Sequence, residues 1–377
     1  MEIYLDNSAT TKVCSEAVNA MLPMLTENFG NPSAVHSKGA KAKKALEAAR
    51  AKIAGVMSVQ PEEIYFSNSG TLANNTAILG AANAGKRAGK RIVTTAVEHP
   101  SVMRCMDELE KRGFEIIRLR PAANGAFCPD ELFEAVNKNT ILVSTMLVNN
   151  ETGAVNPVEQ IQRAVRHASA PALIHVDAIQ GFGKMPVKPY KFGADLVTIS
   201  GHKIHGPKGV GALYIKKGCK IKPFVLGGGQ ENGMFSGTEA LPAIAGFGAA
   251  AAALPNIQNE LEMMKKLRSY ALEKLCLLQG IQINSPRDAL PYIINMSCLG
   301  IPSQVMINFL SERDIYVSAG SACKRGHRSE VLSVMGLPPR VIDSAIRVSM
   351  SRFTTEEEID LFVKAIEQAQ GSVRTKL

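Results

Sequence analysis

The chain has 377 residues, of which 46% are hydrophobic and 20% charged, a composition that excludes disordered and fibrous classes and provides for about two domains. It contains no apolar run near the ~20 residues of a membrane-spanning helix, and Met1–Asp6 lacks the basic and apolar regions of a signal peptide, so a cytoplasmic protein is expected. The net charge of +9 comes without an RNP-like aromatic motif or a long Lys/Arg block; it points to an anionic cofactor, a small acidic substrate or an acidic protein partner rather than to nucleic acid or a membrane.

From residue 63 onward, short apolar strands alternate with helices. Strands are predicted over residues 63–67, 91–95, 115–118, 140–144, 172–176, 196–199 and 210–215. Helices are predicted over 71–87, 101–112, from Pro129, and over 157–167. This alternation implies an α/β fold with a mostly parallel sheet covered on both faces. After Gly246 the pattern changes. An Ala-rich helix runs through Ala253, and a charged helix follows over 259–278. Strands over 292–296 and 315–318 and a final helix over 355–370 complete the chain. The expected division is a large domain over residues 15–250 and a smaller α+β domain made of residues 1–14 and 251–377.

The seven cysteines are scattered, with no C-x-x-C pair, so neither a zinc site nor a disulfide framework is suggested. Cys323 differs from the rest. It sits in Ser318–Arg328, a Gly-bearing, basic stretch of small residues, and nearby cations favour the nucleophilic thiolate.

Polar signals gather after the predicted strands. Ser69-Gly70-Thr71 opens a helix, where free N–H groups and the Thr71 hydroxyl suit a phosphate; read alone it is equally an ordinary helix cap. His99 follows a strand and can stack on an aromatic ring or handle protons; alone it is a surface loop histidine. Asn150 ends a further strand, where an amide can bond a ring oxygen or simply form a turn. Asp177 ends another strand, and Lys203 follows the next one 26 residues later. An aspartate facing a pyridine nitrogen and a lysine that holds the cofactor covalently are the two groups that pyridoxal phosphate (PLP) chemistry requires. Open α/β sheets bind ligands at the carboxyl ends of their strands. Five polar signals at equivalent ends therefore outweigh the bland reading of each.

Over nearly its whole length the chain resembles the cysteine desulfurases of the NifS/IscS type, in the class V branch of the PLP-dependent aminotransferase fold. The resemblance is carried by Tyr4–Thr11, Gly30–Ser33 with His36, Val148–Glu151, His175–Asp177 with Gln180, Ser200–Lys203, Gly206–Gly209, Gly227–Glu231, Ser236–Thr238, Gly320–Cys323 and Ile346-Arg347. It implies a fold type I transferase, with a large domain built on a mostly parallel seven-stranded sheet. Lys203 would carry PLP, Asp177 would pair with its pyridine nitrogen, and Gln180 would bond its phenolic oxygen. His99 would stack on the ring and act as an acid. Gly70, Thr71, Ser200 and His202 would hold the phosphate, and Thr238 would reach the phosphate of a neighbouring subunit in a homodimer. Asn150 and Arg347 would grip the substrate carboxylate, although Arg347 by itself reads as a surface ion pair. Cys323 would accept sulfur from L-cysteine, leaving L-alanine. The persulfide would pass to an acceptor protein for iron–sulfur cluster assembly or tRNA thiolation.

The chain departs from the family pattern at several positions. Ser69 and Leu72 stand where Gly and Glu are usual, Lys12 replaces Pro, and Asn232 and Phe235 replace Arg. The segment after Cys323 is short and basic, which suggests a narrow set of acidic acceptors. A selenocysteine lyase or other PLP enzyme of the same branch, which would not need Cys323, and a non-catalytic scaffold stand as alternatives.

Overall fold

A computed structural model describes residues 1–319 and 328–374. The strands are β1 (Ile3–Tyr4), β2 (Ile64–Ser67), β3 (Arg91–Thr95), β4 (Glu115–Leu119), β5 (Thr140–Met146), β6 (Leu173–Asp177), β7 (Leu196–Ser200), β8 (Gly211–Ile215), β9 (Ile281–Ile283), β10 (Ile293–Cys298), β11 (Ile315–Tyr316) and β12 (Ala345–Ser349). The main sheet has seven strands in the order β2-β8-β7-β6-β5-β3-β4. Five run parallel from β7 to β4, while β8 pairs antiparallel with both β7 and β2. Every residue of β5, β7 and β8 is buried, as strands covered by helices on both faces must be.

The chain order reverses direction across the sheet between β3 and β5. From β3 it steps to β4 on one side, and from β5 to β6 and β7 on the other. A crevice opens at the carboxyl ends of strands at such a switch. The helix Gly70–Gly85 closes one face with Ala73, Ala77, Ala81 and Ala82, packed with Val102, Met106 and Leu109 of the helix Pro100–Lys111. Small side chains let this helix lie close to the strands. A Cβ on Gly70 would stand 2.4 Å from Ile179 Cδ1, so any larger residue there would make Ile179 move.

Beyond the main sheet, β9, β10 and β12 form an antiparallel sheet in the order β12-β10-β9, and β1 pairs parallel with β11. The N-terminal segment is bound to the far end of the chain: the Asn7 backbone N–H and Nδ2 both donate to Ser349 O. The sequence reading names no element over Ser37–Met57, which is a 21-residue helix. Half of its buried residues are small, Gly39, Ala42, Ala49 and Ala54, and this face is fitted against the helix Leu241–Ala252, where Gly248 allows contact with Ala49. No helix among the described residues is long and apolar enough to cross a membrane.

Candidate active site

Asp177 closes β6 with its carboxylate buried. Its Oδ1 accepts from the Ile179 N–H at 3.0 Å and its Oδ2 from Asn74 Nδ2 at 2.7 Å. Asn74 lies on the helix Gly70–Gly85 and donates also to Ser101 Oγ at 2.9 Å. Having accepted that bond, the Ser101 hydroxyl turns its proton to His99 Nδ1, 2.8 Å away, and the Ser101 N–H donates to the same nitrogen at 3.1 Å. Two donors on Nδ1 leave the ring proton on Nε2. A polar chain thus joins Asp177 to His99 across β6 and β3. Burial lowers the His99 pKa, Asp177 raises it, and Lys203 lowers it further. Burial raises the Asp177 pKa against its two hydrogen bonds and the nearby positive groups.

Lys203 ends a short turn that follows β7. Its Nζ donates to Ser8 O at 2.5 Å and Ala9 O at 2.8 Å. The N-terminal segment is held in place by the same turn, since the Thr11 N–H and hydroxyl both donate to His202 O at 3.0 Å. Gln180 reaches the same point, with Nε2 donating to Ser8 O at 2.9 Å.

Arg347 is not a surface residue. It is 1% exposed in the centre of β12. Nη2 donates to Asp6 Oδ1 at 2.8 Å and Nη1 to Asn150 O at 2.9 Å. The turn after β5 is braced from within, because Asn149 Oδ1 accepts from the Glu151 N–H, the Thr152 N–H and the Thr152 hydroxyl. Asn150 therefore meets the arginine through its backbone, with its side chain part-exposed. Cys323 lies outside the described residues. On either side of that segment, Ser318 O accepts from the Arg347 N–H at 2.6 Å, and Ser329 Oγ donates to Glu151 Oε2 at 2.5 Å.

Gly70 and Thr71 open the helix Gly70–Gly85, and Ser200 Cβ lies 3.4 Å from where a Cβ on Gly70 would stand, while His202 sits in the Lys203 turn with its Nδ1 3.3 Å from Thr10 Oγ1. Ser69 caps that helix through Leu72 N–H at 3.1 Å. The N–H groups of Gly70 and Thr71 have no acceptor within their own helix, and Thr71 is exposed beside them. Burial and then the Lys203 charge push His202 down to about 4, so it is neutral at pH 7. Thr238 is exposed in the loop before the helix Leu241–Ala252 and makes no hydrogen bond to the other site residues described.

These groups fit pyridoxal phosphate. Among the described residues Asp177 is held by amide donors alone, and a protonated pyridine nitrogen is the cationic partner that a buried carboxylate lacks. Free helix N–H groups suit the phosphate, and Lys203 supplies the amine.

Sequence reasoning missed four contributors. Asn74 and Ser101 hold Asp177 and His99, Glu151 holds Ser329, and Lys184 is a lysine buried to 6% exposure against Gln180. Burial and the Lys203 and Arg347 charges push the Lys184 pKa down to about 7. The only signal in the sequence is its place four residues after Gln180. Two departures from the family pattern find an account. Leu72 and Phe235, where charged residues are usual, belong to one apolar cluster with Ala73 and Ile221. Neither leaves a stranded charge behind.

The strand-end Asp177, the Lys203 turn and the helix N-terminus, set on this sheet, define a fold type I PLP-dependent enzyme. Residues 3–362 match the family described as Aminotransferase class-V. A cysteine desulfurase IscS of Methanosarcina thermophila is 38% identical over 376 residues, covering 99% of this chain and 93% of the relative. Cysteine desulfurase 2 of Trichormus variabilis is 41% identical over 363 residues, covering 95% and 90%. A solved NifS-like protein superposes with a TM-score of 0.93 at 37% identity, covering 98% of this chain and all of that one (100%). A structure described as SspA in complex with cysteine gives a TM-score of 0.83 at 31% identity, covering 94% and 100%. The chain belongs to the class V aminotransferase family.

Proposed function

We propose that this protein is a PLP-dependent cysteine desulfurase that converts L-cysteine to L-alanine and keeps the sulfur as a persulfide on Cys323. The observation that carries the reading is Asp177, a buried carboxylate held by Asn74 and the Ile179 N–H, at the strand end next to the Lys203 turn. When bound, PLP supplies the electron sink that loss of the Cα proton requires.

The protein's own groups divide the remaining work. Asp177 holds a proton on the pyridine nitrogen, and Asn74 and Ser101 fix the geometry of that carboxylate and of His99. Lys203 Nζ takes the Cα proton. Arg347 and Asn150 grip the substrate carboxylate, which competes with Asp6 for the guanidinium. The Cys323 thiolate attacks the substrate sulfur. An S–S bond forms, the C–S bond breaks, and the electron pair left on the carbon skeleton takes up a proton delivered from His99 Nε2. Attachment of Ser318 to Arg347 and of Ser329 to Glu151 supports this role, because both ends of the Cys323 segment meet the substrate-carboxylate site.

In this reading the large domain spans residues 15–250 and the small one residues 1–14 and 251–377. The protein works as a cytoplasmic homodimer, with Thr238 directed to the partner's phosphate site. The exposed apolar side chains of Leu22 and Leu25 on one helix, with Phe29 just beyond it, support such an association. The persulfide passes to an acidic acceptor protein serving iron–sulfur assembly or tRNA thiolation. The test is L-cysteine turnover by the purified protein with PLP, scoring alanine and bound persulfide for wild type and Cys323→Ser. Both products are expected from the wild type and neither from the variant. Alanine that survives in Cys323→Ser would show a lyase-type mechanism instead.

A further inference from the structure

Lys184 is deeply buried beside Lys203, yet among the described residues it makes no ion pair. Its Nζ donates to Gln180 Oε1 at 3.2 Å and stands 5.8 Å from the centre of the Tyr292 ring. In its protonated form, populated below its pKa of about 7, Lys184 can only donate. The Gln180 oxygen must therefore face Lys184, and the amide nitrogen must face the other way, where it donates to Ser8 O at 2.9 Å. Ser8 O is the same oxygen that takes Lys203 Nζ at 2.5 Å. Lys184 and Ser8 O thus fix the Gln180 carboxamide from opposite ends, Lys184 holding its oxygen and Ser8 O its nitrogen. The cavity that both lysines line, with Asn7, Thr11 and Tyr292, holds ≈ 20 Å³, room for about one water and not for a ligand. Burying an ammonium without a carboxylate partner is costly and no packing need explains it, since an apolar side chain of that length would fill the space.

We propose that Lys184 is a positioning residue, which fixes the Gln180 carboxamide as a donor toward the cofactor's phenolic oxygen and lowers the proton affinity of the nitrogen through which Lys203 holds the cofactor. This rests on the PLP reading given above. Two effects of one sign combine. A donor on the phenolic oxygen stabilises its anion, and a neighbouring cation disfavours a second positive charge. The other titratable or charged groups around Lys203 are Asp177 and His99 at the strand ends, His202 in the same turn, and Arg347 on β12. Around Lys184 stand also His205, Glu260 and Arg352. None of them is itself changed by replacing Lys184.

The experiment is a pH titration of the visible absorption band of the bound cofactor in wild type, Lys184→Met and Lys184→Arg, with cofactor content measured alongside. In Lys184→Met the midpoint should rise by about one unit, a roughly tenfold gain in proton affinity, as expected for removal of a close buried charge. Lys184→Arg keeps charge and donors and should return the midpoint most of the way. If Lys184→Met does not fold, Lys184→Gln keeps a donor for Gln180 without the charge, and its midpoint should also rise. An unchanged midpoint in a fully loaded, uncharged variant would overturn the proposal. A wild type that binds PLP without a visible band, or makes no alanine, would instead overturn the functional reading beneath it.

Discussion

At the scale of single residues, the site is made by pairs whose members cannot be exchanged. Asp177 supplies charge as well as acceptors: an Asn in its place keeps one oxygen for the Ile179 N–H, and Asn74, whose own Oδ1 has no hydrogen-bond partner among the described residues, can turn that oxygen to the new amide. Asp177→Asn should therefore keep the fold and lower turnover about a hundredfold or more, the scale of losing one preorganised electrostatic partner. Steady-state kinetics with a melting curve check this; loss of activity through unfolding alone would count against the role. Asp177, Lys203 and His99 were legible from sequence because each follows a predicted strand. Asn74 and Ser101 were not, since an asparagine inside an Ala-rich helix and a serine after His-Pro look like ordinary helix residues. Their function comes from lying across β6 and β3, which no local pattern reports.

At the scale of elements, polar groups also tie the strands together. His175 in the middle of β6 bonds Ser144 of β5 at 2.8 Å and Thr198 of β7 at 3.0 Å. Complete burial pushes its pKa down to about 3. In the unfolded chain the same ring titrates near its ordinary value of 6.5, so between pH 6.5 and 3 the unfolded state binds the extra proton and stability falls as pH falls. From pH 7 to pH 5 this one group should cost about 2 kcal/mol. Stability measured at both pH values should drop less in His175→Gln than in wild type, although the variant starts lower for want of one cross-strand bond. Equal drops would show that His175 does not govern this acid loss. Strands such as Arg91–Thr95 were legible because β-branched and apolar residues fill them. The strand Ala345–Ser349 was not, since its central arginine breaks the apolar run and finds its partners only after folding.

At the scale of the whole molecule, one buried ion pair links three separate parts of the chain. Arg50 of the helix Ser37–Met57 donates to both Glu231 oxygens at 2.8 Å and to Ile64 O at 2.5 Å, while the Phe66 N–H donates to Glu231 at 2.7 Å. Glu231 holds a left-handed backbone, φ 50°, in the loop that leads to Thr238. Removing one member strands the other in the interior, so Glu231→Gln should cost about 3–5 kcal/mol. The double variant Arg50→Met, Glu231→Leu should recover much of that loss, and denaturant melts of the single and double variants check it. A double variant as unstable as the single would show that the loop geometry, and not the stranded charge, sets the cost.

By itself the sequence determined the family, the alternation of strands and helices through the main sheet, and the places of Asp177 and Lys203 after their strands. These rest on local patterns, apolar periodicity and short motifs, that survive reading one segment at a time. Only the tertiary structure decided that Arg347 is buried against Asp6, 341 residues away in the chain. It likewise decided that Ser8 O is the acceptor shared by Lys203 and Gln180, and that Lys184 stands buried behind them. The physical reason is common to all three. A buried charge or amide takes its partner from whatever element packing brings beside it, and the free energy that holds it there belongs to the whole core rather than to any segment of the chain.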